Sequence, residues 1–164
     1  MIILDTNALI SFLKNSEEVK NLRELLRKAQ PLEICVPTPV LAEFLANEDN
    51  PERVQQLTRP NSKFRKLPFD EKSALLAAQI YKANKAVIKQ MEQPKQKVKV
   101  DLQILAIALS NRANMIITND SGIKKIIERL NISITVYDYV ENSFVQEMTK
   151  NEDIEIEPTS SQHH

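Results

Sequence analysis

The 164-residue sequence contains a single glycine, Gly122, and a single cysteine, Cys35. One glycine cannot build a dinucleotide-binding glycine fingerprint or the phosphate-cradling loop of a P-loop protein. One cysteine excludes an internal disulfide and a cysteine metal cluster. Cys35 lies in the apolar run Ile34–Val36, which is typical of a small buried side chain rather than a reactive thiol. The chemistry of this chain must therefore come from other residue types.

Histidine is equally scarce, because His163 and His164 at the end of the sequence are the only two. Their position disfavours a histidine-based catalytic triad or zinc site. No uncharged apolar run approaches the roughly 18 residues of a membrane helix, and no basic-then-apolar signal segment precedes the first strand. We therefore expect a cytoplasmic protein without membrane contact, whose chemistry depends on carboxylates, hydroxyls and lysines.

Positive and negative charges balance overall but are unevenly distributed. Through Val140 there are 21 Lys and Arg against 16 Asp and Glu, whereas the remainder has one lysine and six acids. This contrast predicts one domain over residues 1–140 and a flexible acidic tail over residues 141–164. A basic body indicates a polyanionic partner. The acidic tail either covers the basic surface of the same chain or is a solvated end without function.

Strand and helix patterns alternate along the chain, which predicts an α/β fold with a parallel sheet covered by helices. Short apolar runs predict strands at 2–4, 32–36, 115–118 and 132–136, and an edge strand at 64–69. Amphipathic patterns predict helices at 8–14, 17–29, 39–47, 70–90, 101–112 and 123–130, with a short one between 48 and 60. Residues 95–101 form the most basic run, and in an extended conformation its lysines would share one face with Asp101.

Four carboxylates are predicted to meet at one edge of this sheet. Asp5 and Asp120 directly follow buried strands, and Glu43 lies about one helical turn beyond the second strand. Asp101 is predicted to begin a helix that runs back to the next strand, which places it at the same edge. Each acid also has a structural explanation, such as a helix cap. Gathered in one cleft, however, like charges raise each other's pKa and destabilise the fold unless a cation is present.

Oxygen ligands of this kind favour a hard cation, Mg²⁺ or Mn²⁺. Such an ion would activate water for attack on a phosphodiester, and this chemistry needs no histidine. We therefore expect catalysis and metal binding by Asp5, Glu43, Asp101 and Asp120, with Glu43 acting as a ligand or positioning a water.

Neighbouring polar side chains complete the predicted site. Hydroxyl and amide groups beside the acids are expected to orient them: these are Thr6, Asn7 and Thr118. Lysines near the acidic edge suit a phosphate backbone, although a solvated surface explains the basic run equally well. The predicted substrate-binding residues are Lys97, Lys99 and Lys124.

Four segments together show a resemblance to a known family. They are Leu4–Asn7, Pro39–Phe44 with Glu43, Asp101 followed by Leu102–Ala108, and Ile117–Asp120. In this order they resemble the PIN-domain nuclease family. The resemblance implies a parallel sheet of order 3-2-1-4-5, in which Asp5 and Asp120 flank the switch point between the first and fourth strands.

The resemblance also implies a function, a Mg²⁺- or Mn²⁺-dependent endoribonuclease. Among single-domain members of this length, the commonest role is the toxin of a bacterial type II toxin–antitoxin pair. Such toxins are usually homodimers, inhibited by an antitoxin that inserts a segment into the acidic groove. Two alternatives stay open from the residues alone: an inactive RNA- or protein-binding module of the same fold, and a nuclease specific for single-stranded DNA or nucleic-acid structure.

Overall fold

The computed structural model of the protein describes residues 1–28 and 32–146, and these residues form a sheet flanked by helices. The strands are β1 (Ile2–Leu4), β2 (Ile34–Pro37), β3 (Phe64–Leu67), β4 (Met115–Ile117), β5 (Thr135–Asp138) and β6 (Ser143–Gln146). The α-helices are α1 (Thr6–Lys14), α2 (Lys20–Lys28), α3 (Thr38–Asn47), α4 (Pro51–Thr58), α5 (Glu71–Ala83), α6 (Lys85–Lys89), α7 (Lys95–Ser110) and α8 (Ser121–Arg129).

The sheet has the order β3-β2-β1-β4-β5-β6. The first five strands are parallel, which confirms the predicted α/β class and the order 3-2-1-4-5. β6 pairs antiparallel with β5 at the edge and was not predicted. In the register of β1 and β4, Leu4 pairs with Ile117. The residues that follow these two strands therefore emerge side by side at the carboxyl edge.

The core lies on both faces of β1. Ile2, Ile3 and Leu4 are all fully buried, and successive side chains of a strand point to opposite faces. Burial of all three therefore requires helices on both sides, as is usual for a parallel sheet. This double cover makes β1 the centre of the molecule and fixes the position of the residue that follows it.

The start of α7 differs from the prediction. The helix begins at Lys95 with Pro94 at its N-cap, so Asp101 lies in its second turn and the extended conformation of 95–101 is wrong. Val98, Leu102 and Leu105 are buried along one helical face, a spacing that stabilises a helix through the whole segment. The basic run is therefore the first part of a helix that carries Asp101.

Other boundaries differ by smaller amounts. The helix predicted over 70–90 is divided at Asn84 into α5 and α6, and β5 begins three residues later than predicted. Within the described residues, no helix has the length and the apolar surface to cross a membrane. Most of the predicted acidic tail, residues 147–164, lies outside the described residues, so the division at residue 140 stays a prediction.

A buried ion pair joins α8 to the end of β5. The Asp138 carboxylate, 2% exposed, lies 2.6 Å from Lys124 Nζ, and it also accepts hydrogen bonds from the backbone N–H groups of Val140 and Glu141. Removing one partner of a buried pair leaves an uncompensated charge. Lys124 thus stabilises the fold at this edge of the sheet.

We expect Lys124→Met to lower the free energy of unfolding by about 2 kcal/mol, because the two backbone donors offset only part of the lost countercharge. Urea denaturation measures this change. Lys125→Met, at the exposed neighbouring position, is the matched control and should stay within about 0.5 kcal/mol of the wild type. Equal effects of the two substitutions would contradict a stabilising role for the pair.

Candidate active site at the carboxyl edge of the sheet

An open cleft of about 460 Å³ lies at the carboxyl edge of the sheet, beside the ends of β1 and β4. α1 and α8 begin here, and α3 and α7 contribute Glu43 and Asp101 from their second turns. The side chains of all four predicted acids line the cleft: Asp5, Glu43, Asp101 and Asp120. The topology therefore brings together carboxylates from four separate segments of the chain.

Asp5 is the deepest of the four acids and is 3% exposed. One carboxylate oxygen caps α1 by accepting the Ala8 N–H at 2.8 Å, and the other accepts the Thr118 hydroxyl. The pKa of Asp5 is raised from 3.8 to about 7, mainly by burial and in smaller part by the charges of Asp120 and Glu43, against the lowering effect of the two hydrogen bonds. Asp5 is therefore a carboxylate that is costly to ionise without a nearby cation.

Thr118 connects the two strand ends. Its hydroxyl donates to Asp5 Oδ2 and accepts the backbone N–H of Asp120 at 2.8 Å. A hydroxyl has one proton to donate, so these two contacts define its orientation. Thr118 thereby fixes Asp5 relative to the start of α8.

Asp101 is 5% exposed and has an unsatisfied oxygen. Its Oδ2 finds no hydrogen-bond partner among the described residues. The pKa of Asp101 is raised to about 7, first by burial and then by the negative charge of Asp120, while the positive charge of Lys97 lowers it. An unpaired buried carboxylate oxygen carries a large desolvation penalty, which a cation would relieve.

Asp120 and Glu43 have partners. Asp120 caps α8, since its Oδ1 accepts the Gly122 N–H at 2.6 Å, and its Oδ2 lies 2.8 Å from Lys97 Nζ. Glu43 is exposed on α3, and its Oε2 accepts the Thr6 hydroxyl at 2.5 Å. Asn7 is exposed and lines the cleft. These contacts hold the two acids in place while leaving each with free acceptor capacity.

Gly122 occupies the space between two of the acids. A Cβ at this position would lie 2.8 Å from Asp120 Oδ1, 2.9 Å from Asp101 Oδ2 and 3.1 Å from Gln93 Nε2. The φ angle of Gly122 is not positive, so the glycine is needed for space and not for backbone conformation. The sequence analysis did not predict that Gly122 and Gln93 lie beside these acids. The position of the single glycine, two residues after Asp120, could have indicated Gly122.

The three lysines predicted to bind substrate lie in different environments. Lys97 lines the cleft. Lys99 is exposed on α7 and is not among the lining residues, and Lys124 is paired with Asp138 away from them. Their roles in substrate binding stay predictions.

The donor chemistry of the cleft suits a divalent cation. Within residues 1–28 and 32–146, no three histidine, cysteine, aspartate or glutamate side chains are already arranged as a formed metal site. The carboxylate oxygens are nevertheless hard ligands, and Asp101 Oδ2 and Asp120 Oδ1 lie within 3 Å of the same point beside Gly122. The oxygen donors of the cleft therefore have the chemistry that a hard divalent cation requires.

Several solved structures share this fold. FitAcB from Neisseria gonorrhoeae is 23% identical, with a TM-score of 0.61 over 85% of this chain and 98% of that one. DNA-bound VapBC from Salmonella typhimurium is 22% identical, with a TM-score of 0.60 over 84% and 97%. A toxin–antitoxin complex from Klebsiella pneumoniae is 20% identical, with a TM-score of 0.54 over 74% and 88%. At these identities the likeness shows the fold alone.

The family assignment depends on the sequence itself. No curated protein matches the chain at a significant level. A family model described as "PIN domain" matches residues 2–128, a range that contains all four acids of the cleft and most of the sheet. The resemblance carried by the four sequence segments is thus confirmed, and the chain belongs to the PIN domain family.

Proposed function

We propose that the protein is a metal-dependent endoribonuclease that hydrolyses RNA phosphodiester bonds. The observation that carries this proposal is the convergence of four carboxylates in one cleft, two of which are buried with a pKa near 7. A fold does not gather unpaired buried acids for stability, because their mutual repulsion and desolvation oppose folding. Family membership supports a nuclease, and the basic body of the chain supports a polyanionic substrate.

In this proposal Asp5, Asp101 and Asp120 hold Mg²⁺ or Mn²⁺, and Glu43 is a further ligand or positions the attacking water. A bound divalent ion supplies an activated water and neutralises charge on the phosphate. The chain's own contribution is orientation: Thr118 fixes Asp5, and Thr6 fixes one oxygen of Glu43. Asn7, exposed in the same cleft, is proposed to orient a carboxylate or the attacking water.

The proposed role is that of a toxin in a toxin–antitoxin pair, acting in the cytoplasm. One structurally similar protein is described as a toxin–antitoxin complex, which supports a cognate antitoxin as a partner. A second copy of the chain is the other proposed partner. The proposal of a homodimer follows from membership of the PIN domain family.

Asp5→Asn should reduce Mn²⁺-dependent RNA cleavage by at least about a hundredfold, because the amide keeps the size of the side chain and one acceptor oxygen but loses the charge. Cleavage of a labelled RNA and of a single-stranded DNA of the same sequence is measured side by side, with circular dichroism as the folding check. Asp70→Asn is the matched control, since Asp70 caps α5 outside the cleft. If the wild type and Asp5→Asn cleave equally, the activity belongs to a contaminant. If the wild type cleaves the DNA in preference to the RNA, the protein is a deoxyribonuclease and the proposed RNA substrate is wrong.

The raised pKa values of Asp5 and Asp101 predict a pH dependence of stability. Each folded-state pKa, about 7, lies above the ordinary 3.8. The folded state therefore binds more protons than the unfolded state in this range, and stability falls as pH rises from about 4 to about 7. In EDTA we expect a loss on the order of 3 kcal/mol between pH 5 and pH 8.

Urea midpoints at the two pH values measure this slope. Asp101→Asn should unfold at a higher urea concentration than the wild type at about pH 8 and close to it at about pH 5, since the amide carries no charge. Mg²⁺ should restore the wild type at pH 8 by binding the folded state. If stability instead rises with pH in EDTA, groups of the protein already balance the negative charges of Asp5 and Asp101, and the prediction is wrong.

Gly122→Ala should weaken Mn²⁺ binding by about tenfold or more, because the added methyl pushes Asp101 and Asp120 apart. The fold should persist, since alanine is well accommodated in a helix. Isothermal titration gives the affinity and thermal denaturation gives the stability. Ser121→Ala, at the exposed preceding position, controls for a general effect on α8. An unchanged Mn²⁺ affinity in Gly122→Ala would remove these two acids from the proposed metal site.

A further inference from the structure

Among the described residues that line the cleft, Lys97 carries the one positively charged side chain. Its Nζ lies 2.8 Å from Asp120 Oδ2. Lys97 also precedes Asp101 by one helical turn of α7, so the two residues share a helix face. The lysine thus lies in the cleft that the four carboxylates line.

The charges around Lys97 stabilise its ammonium. Its Nζ forms an ion pair with Asp120, and the carboxylates of Asp101 and Glu43 line the same cleft. The lysine therefore stays charged and offsets part of the repulsion among the acids. This is the electrostatic role that a divalent ion would have in the same cleft.

The Lys97 side chain is accessible to solvent. It is 45% exposed, whereas the Lys124 side chain, in the pair that joins α8 to β5, is 18% exposed. A flexible lysine whose ion pair is partly solvated can swing into water at small cost. Asp120 Oδ2 would then be open to another cation, without any change in the backbone or the core.

We propose that Lys97 is an internal counterion of the acidic cleft, which must release Asp120 before a divalent metal ion can bind. The inference depends on the proposed metal-dependent function and adds to it. Metal affinity is then set by an exchange of ammonium for metal, so removing the lysine charge should strengthen metal binding. A lysine that only binds substrate phosphate would leave metal affinity unchanged, and a lysine that only supports the site would weaken metal binding when removed.

The test compares Mn²⁺ binding to full-length wild type, Lys97→Met and Lys99→Met by isothermal titration. Lys99 is the matched control, because it is exposed on the same helix and lies outside the cleft. We expect Lys97→Met to lower the Mn²⁺ dissociation constant by about tenfold, since the metal no longer has to displace an ammonium from Asp120. Lys99→Met should match the wild type. Lys97→Gln, which keeps a hydrogen-bond donor for Asp120, should behave like Lys97→Met.

A second measurement follows the lysine itself in the wild type. Labelling with an amine-reactive probe and mass spectrometry should show a several-fold rise in Lys97 modification when Mg²⁺ is added, while Lys99 modification stays constant. Lys97 labelling that does not respond to Mg²⁺, or a Mn²⁺ affinity in both Lys97 variants equal to or weaker than that of the wild type, overturns the counterion role and leaves the proposed function standing. If neither the wild type nor any variant binds Mn²⁺ or Mg²⁺, the counterion role and the metal-dependent function both fail.

Discussion

The hydrogen bond between the Thr118 hydroxyl and Asp5 is the contact on which the site depends. Because Leu4 pairs with Ile117 in the sheet, the two residues that follow are neighbours, and the hydroxyl closes the gap between them. The same oxygen accepts the Asp120 N–H, so one side chain sets the position of acids on two strand ends. The most buried strand of the protein thereby delivers a carboxylate to its edge, where burial alone would favour an apolar residue.

This arrangement has an electrostatic cost to the stability of the fold. Asp5 and Asp101 are nearly inaccessible to solvent, and the described residues provide Asp5 with two donors but leave Asp101 Oδ2 with none. The asymmetry matters because an unsatisfied oxygen keeps its capacity to bind a ligand. A site in which every oxygen had a protein donor would be more stable and less able to accept a cation.

Strand-end topology explains what could be predicted from the sequence. Asp5 and Asp120 follow apolar runs, so their meeting at one edge required only the parallel order of the sheet. The start of α7 could not be found in this way, because Lys95, Lys97 and Lys99 alternate with less polar residues as in a strand while Val98 belongs to a helical face. β6 was not predicted because its four residues show no strand pattern in the sequence, and its pairing with β5 uses backbone groups. The space beside Gly122 is a tertiary distance, which no short-range pattern encodes.

Two lysine–aspartate pairs in this protein illustrate why charge patterns alone do not assign function. Lys97 and Lys124 each lie within 3 Å of an aspartate oxygen, and both were predicted from sequence to bind substrate. Asp138 has two further backbone donors and almost no solvent contact, so its lysine is part of the fold. Asp120 faces an open cleft that three other acids also line. Solvent therefore weakens its ion pair with Lys97. The exposure of the pair, and not its distance, therefore separates a structural countercharge from an exchangeable one.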